Sequence, residues 1–146
     1  MKLAFGCDPN AYRLKAALME EAVRLGHEVV DYASEDPIYA NVAVAVATDV
    51  AAGKADRGVL VCGTGIGVSI AANKVKGAYA ACVADVYQAQ RSSLSNNANI
   101  ITMGEQVVGT ESGKVYLREY LAGTFDPEGR SGPKVDRITE YETTGC

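Results

Sequence analysis

Val59-Leu60-Val61-Cys62-Gly63-Thr64-Gly65-Ile66-Gly67-Val68-Ser69-Ile70-Ala71-Ala72-Asn73-Lys74 is the stretch from which the rest of the chain takes its meaning. It starts as an apolar, β-branched run, the pattern of a buried parallel strand. Alternating glycines break the run, and small residues resume it as a helix. A strand, a glycine loop and a helix in that order bring several backbone N–H groups to a helix N-terminus. Unsatisfied donors and partial positive charge make such an end an anion holder. Cys62 stands at the junction, so a thiol lies beside an anion-binding loop.

The glycine spacing excludes several common sites. Gly63-x-Gly65-x-Gly67 is not the dinucleotide pattern G-x-G-x-x-G, and it follows a middle strand rather than the first. It lacks the G-K-[ST] ending of a P-loop and is not the nucleophile elbow G-x-S-x-G. On the glycines alone, a tight turn with no ligand stays open.

At 146 residues the chain has the length of one domain with one sizeable core. Hydrophobic content of 48% fits a folded, soluble protein. A net charge of −4 without a basic block argues against nucleic acid and against anionic membrane as partners. No apolar run approaches a membrane span, and Met1 to Gly6 enters a strand directly, which reads as no signal peptide. Cys7, Cys62, Cys82 and Cys146 form no C-x-x-C pair and have no neighbouring histidines. That pattern predicts no metal site and free thiols in a reducing cytoplasm. The only histidine is His27, which limits the available chemistry severely.

In chain order, Lys2 to Cys7 reads as a first strand. Asp8-Pro9-Asn10 opens a helix from about Ala11 to Leu25, with Leu14, Leu18, Ala22 and Leu25 on one face. His27 to Tyr32 reads as a strand and Ile38 to Ala52 as a helix. After the central strand comes a short helix to about Val75, then a strand from Ala78 to Val83 and a helix from Asp85 to Leu94. Ala98 to Met103 reads as the fifth strand and Gly109 to Ala122 as a long helix. The tail from Gly123 to Pro133 is rich in glycine and proline, and a last amphipathic turn or two runs from Pro133 to about Tyr141.

Five strands alternating with helices predict one α/β domain over residues 1–146. It is a three-layer α/β/α sandwich on a five-stranded parallel sheet, Rossmann-like or flavodoxin-like. Ligands of such sheets sit beyond the C-terminal strand ends. Those ends carry Asp8, the loop from Cys62 to Gly67, Asp85 and Gly104-Glu105.

Each candidate residue has a plain reading beside the functional one. Cys62 is either a buried small hydrophobe or a thiol placed to remove a proton from carbon, with loop amides stabilising the enediolate oxygen. Asp8 before Pro9 is a natural helix cap, and a capping position at a strand end is also a site position. Thr64 either satisfies its turn or faces the ligand. Ser95-Asn96-Asn97 has the composition of a loop. Arg130 and Lys134 are either solvated or present two cations to one phosphate.

The assembled pattern resembles the ribose-5-phosphate isomerase B and galactose-6-phosphate isomerase family. The matching residues are Phe5-Gly6-Cys7-Asp8, the run from Val61 to Lys74, Asn96-Asn97-Ala98-Asn99, Met103-Gly104, Val107-Val108-Gly109 and Gly129-Arg130. The likeness runs over nearly the whole chain, and the run from Cys62 to Lys74 is its specific part.

The resemblance implies a cofactor-free aldose–ketose isomerase working through a cis-enediolate. It implies Cys62 as the base, with Thr64 and Asp8 handling protons at the oxygens. The amides of Gly63, Gly65, Ile66, Gly67 and Val68 become the anion hole. Asn96, with Ser95 beside it, contacts the sugar, and Arg130 with Lys134 binds phosphate. The tail of about 123–146 thereby helps complete the phosphate site. It also implies a homodimer, or a dimer of dimers, with sites at the subunit interface.

The departures from the family pattern are specific. Pro9 and Ser95 stand where the family usually has histidines, the second of which opens the sugar ring. Gln106 stands at a frequent arginine position, and Lys134 replaces an arginine, losing bidentate geometry. A site without a ring-opening base suits an open-chain substrate. The segments Leu94 to Ala98 and Phe125 to Ser131 resemble the tetrose-phosphate branch, whose members act on D-erythrulose 4-phosphate. A ribose-5-phosphate isomerase and a non-catalytic sugar-phosphate-binding subunit are the alternatives.

Overall fold

The apolar run at Gly58 to Cys62 is buried throughout because it lies in the middle of the sheet, covered on both faces. The computed structural model describes residues 1–146. Its strands are β1 (Lys2–Cys7), β2 (Glu28–Asp31), β3 (Arg57–Cys62), β4 (Ala80–Cys82) and β5 (Ile100–Gly104). The helices are α1 (Tyr12–Arg24), α2 (Tyr39–Ala51), α3 (Ile66–Ala72), α4 (Val86–Leu94), α5 (Thr110–Ala122) and α6 (Gly132–Thr144). All strand pairs are parallel, in the order β2-β1-β3-β5-β4.

That order decides which face each helix covers. The steps from β1 to β2 and from β4 to β5 run one way across the sheet; those from β2 to β3 and from β3 to β4 run the other. The intervening helices divide accordingly. Leu14, Leu18 and Ala22 of α1 and Ala89 of α4 share a core with Phe5, Val59 and Val61, joined by Leu117 and Tyr120 of α5. Ala43, Val46 and Ala47 of α2 pack with Val68 and Ala72 of α3 over Ala4, Leu60 and Ile100. One handedness of crossover produces this division. Consequently the chain leaves β1 toward one face and β3 toward the other, opening a crevice between their C-terminal ends.

Three details differ from the sequence reading. The fourth strand is only Ala80–Cys82: before it, Asn99 Oδ1 accepts the Tyr79 amide at 2.8 Å, and on its outer edge Asn73 Oδ1 accepts the Ala80 amide at 2.8 Å. Leu25 lies past the end of α1 and is 36% exposed. The tail forms a 13-residue helix, α6, where a turn or two was expected. Its Glu142 accepts from the Gly77 amide at 3.0 Å and the Tyr79 hydroxyl at 2.6 Å, tertiary anchors invisible to periodicity. No helix is long and apolar enough to cross a membrane.

Candidate active site

β3 delivers Cys62 to the rim of the crevice, with its side chain on the α2–α3 face. The loop that follows is held by its own backbone and by β5. Gly65 sits at φ +79°, and a Cβ there would stand 2.7 Å from the Met103 carbonyl carbon, so only glycine fits. Its N–H donates to Cys62 Sγ at 3.1 Å, and its carbonyl accepts from the buried Thr102 hydroxyl at 2.8 Å. The Glu105 and Gln106 amides donate to the carbonyls of Cys62 at 2.9 Å and Gly63 at 3.0 Å. A thiol fixed on this many sides is presented in one geometry.

The predicted anion hole is therefore partly spent on the loop itself. The Gly65 amide serves the sulfur, and the Ile66 amide donates to Thr64 Oγ1 at 3.2 Å. The amides of Gly67 and Val68, in the first turn of α3, have no acceptor in the chain and remain available to a ligand. Thr64 is exposed, so its hydroxyl both caps the turn and borders the crevice.

Asp8 arrives from the neighbouring strand end. Its amide donates to the Val61 carbonyl at 2.9 Å, which ties the exit of β1 to β3. Its Oδ1 caps the first turn through the Asn10 amide at 2.8 Å, and Oδ2 makes no hydrogen bond. Asp8 is thus a cap with one carboxylate oxygen left without a partner. Cys7, one residue earlier, faces the opposite core. Burial pushes its thiol pKa up, opposed by the Lys15 ammonium. Of the two cysteines at adjacent strand ends, only Cys62 meets the glycine loop.

Two residues here escaped the sequence reading. A Cβ on Gly67 would fall 2.2 Å from the hydroxyl oxygen of Tyr39, so the first side chain of α2 lies over the loop. Glu105, seen in the sequence only as a strand end, carries a buried Oε2 with no partner, while its Oε1 lies 3.7 Å from Arg13 Nε. Neither follows from spacing, because both contacts join elements distant in the chain.

Ser95, Asn96, Arg130 and Lys134 lie elsewhere. α4 starts beyond the end of β4 and spans nine residues, about 14 Å at 1.5 Å per residue, so Ser95 and Asn96 fall back toward the strand starts. The Ser95 hydroxyl accepts from Arg91 Nε at 2.7 Å. Asn96 is exposed and lines a cleft of about 270 Å³ with Cys82, Tyr87, Gln88 and Arg91. Arg130 and Lys134 are exposed and join no ion pair. The tail starts beside the entry of β3, where Arg57 donates to the Gly123 carbonyl at 2.6 Å, and ends on Gly77 and Tyr79 before β4. No hydrogen bond links these four residues to Asp8, Cys62 or Thr64.

Residues 3–138 match the model of the ribose/galactose isomerase family. The chain is 45% identical to D-erythrulose-4-phosphate isomerase 2 of Mycolicibacterium smegmatis, with 97% of each chain covered. It is 42% identical to D-erythrulose-4-phosphate isomerase of Pectobacterium atrosepticum, covering 97% of this chain and 95% of that one. Among solved structures, ribose-5-phosphate isomerase B of Clostridium thermocellum superposes with a TM-score of 0.92 at 36% identity, over 100% of both chains.

Proposed function

We propose that this chain, which belongs to the ribose/galactose isomerase family and is a sugar-phosphate aldose–ketose isomerase, takes a four-carbon substrate such as D-erythrulose 4-phosphate. The observation that carries the substrate size is the place of the only histidine. His27 Nδ1 lies 3.1 Å from the Met1 amino group, beside the edge strand β2, remote from the crevice between β1 and β3. Ring opening needs a group that exchanges protons near neutral pH, and histidine is the side chain best suited to it. Ser95, held by Arg91, does not supply that chemistry. A tetrose phosphate with its phosphate on the terminal oxygen cannot close the usual ring and needs no opening. The two relatives named for D-erythrulose 4-phosphate support the same reading.

In this mechanism the Cys62 thiolate removes the proton from the carbon beside the carbonyl. The electron pair moves into a cis-enediolate, whose oxygen is held by the amides of Gly67 and Val68. Cys62 returns the proton to the adjacent carbon, while Thr64 and Asp8 relay the hydroxyl proton between the two oxygens. Asn96 holds the sugar and Arg130 with Lys134 the phosphate. Because one chain keeps these groups away from Cys62, a second copy completes each site. Ile66 and Ile70, one turn apart on α3 and 55% and 58% exposed, give that copy an apolar surface beside the loop.

The test is kcat/KM over four-, five- and six-carbon aldose and ketose phosphates. The expected result is the highest value on the four-carbon pair. Ribose 5-phosphate turned over at least as well would make the pentose the substrate, as the structural likeness to ribose-5-phosphate isomerase B allows.

A further inference from the structure

The cleft beside Asn96 contains a cation that neither the motifs nor the glycine loop accounts for. Arg91, in the last turn of α4, is half-buried, and its Nε donates to Ser95 Oγ. None of the seven ion pairs includes it, and its two Nη groups donate to nothing in the chain. Arg57, the other half-buried arginine tied to a helix end, spends both Nη groups on carbonyls of Tyr120 and Gly123. A half-buried guanidinium with an unpaired fork matches two oxygens of a phosphate, and partial burial weakens the screening that devalues surface cations.

The neighbourhood fits an oxyanion. The cleft adds the Asn96 and Gln88 amides and the Tyr87 ring to Arg91, and no carboxylate lines it. Asn96 also borders an adjoining cleft with Ile138 of α6, and Lys134 lies one turn before Ile138 on the same helix face. Asn96 thus borders clefts walled by both α4 and α6.

We infer that Arg91 is a substrate-recognition residue whose free Nη groups bind the substrate phosphate beside Asn96. This rests on the sugar-phosphate isomerase reading and adds a residue to it. The structural alternative is that Arg91 only complements the negative end of α4, with the Ser95 bond as its whole role.

Arg91→Gln in the full chain separates the two. A charge-assisted hydrogen bond lost from the bound state raises KM for erythrulose 4-phosphate about tenfold to a hundredfold, with little change in kcat. Competitive inhibition by inorganic phosphate weakens by the same factor, and inhibition by unphosphorylated erythrulose is unchanged. Wild-type KM and phosphate inhibition, whatever the melting temperature, overturn the inference; an equal loss for the unphosphorylated sugar overturns the phosphate assignment. If Arg91→Gln does not fold, Arg91→Lys decides, since it keeps the charge and loses the fork: raised KM supports the inference and wild-type constants sink it. A wild-type protein that isomerises no sugar phosphate defeats the functional reading instead. Calorimetric binding of inorganic phosphate to wild type and variant then still judges Arg91.

Discussion

Cys62 is 5% exposed, its sulfur accepts from the Gly65 amide, and the loop carbonyls accept from Thr102 of β5 and from Glu105 and Gln106 just after it. Arg130 and Lys134 are exposed side chains on the tail and join no ion pair. In the proposed mechanism the two regions answer different physical demands. Proton transfer from carbon needs the base and the oxyanion donors fixed within a fraction of an ångström, which buried strand ends and a locked loop provide. Phosphate capture works through longer-range charge, so its cations can sit in solvent and be ordered by the ligand itself. A single chain holds Cys62 and its loop together and keeps Arg130 and Lys134 apart from them, the separation on which the proposed second copy rests.

The most severe test of this contrast is Cys62→Ala. With the base gone, kcat should fall at least about a hundredfold, the usual scale for general acid–base catalysis, while the fold survives the loss of one sulfur. Near-normal turnover by a folded variant would remove Cys62 from the mechanism and end the contrast.

Salt should act on one region only. Arg130→Ala and Lys134→Ala should each raise KM about three- to tenfold, with kcat nearly constant. Added salt, about 0.5 M, should raise the wild-type KM and shrink those differences, because exposed charges are screened within a few ångströms there. A kcat that falls with salt as steeply as 1/KM would show that the two regions are not separable.

The smallest effect comes from a carboxylate held by two arginines outside both regions. Glu21 of α1 accepts from Arg24 at 2.9 Å and from Arg118 of α5 at 2.7 Å, and these partners hold its carboxyl at about 2. A carboxyl lowered in the folded state contributes stability that is full above its unfolded value, about 4.3, and vanishes as pH falls toward 2. Glu21→Gln should therefore unfold more easily than wild type at pH 6, match it below pH 2, and keep wild-type kinetics. Altered kinetics would mean that the α1–α5 face communicates with the crevice.

The parallel sandwich was legible because its signals are local: β-branched runs, glycine punctuation, and the spacing of Leu14, Leu18 and Ala22. Cys62 and its loop were legible for the same reason, since strand, thiol and glycines are consecutive and the one bond to the sulfur comes from Gly65, three residues on. Partition of the loop amides was not, because that depends on which acceptor reaches which N–H first. The Asn99 side chain likewise took the Tyr79 amide just before β4. Tyr39 over Gly67, Glu105 with its unpartnered oxygen, and Arg91 with its free fork are tertiary outcomes, created by elements that meet only once the sheet order is set. Sequence alone determined the element order, the thiol beside a glycine loop and the absence of histidine from that loop, since each is written in neighbouring residues. Only the tertiary structure decided that the crevice lies between β1 and β3 and that the tail cations stand apart from it. Both depend on crossover direction and on long-range anchors such as Arg57 and Glu142, which no local pattern encodes.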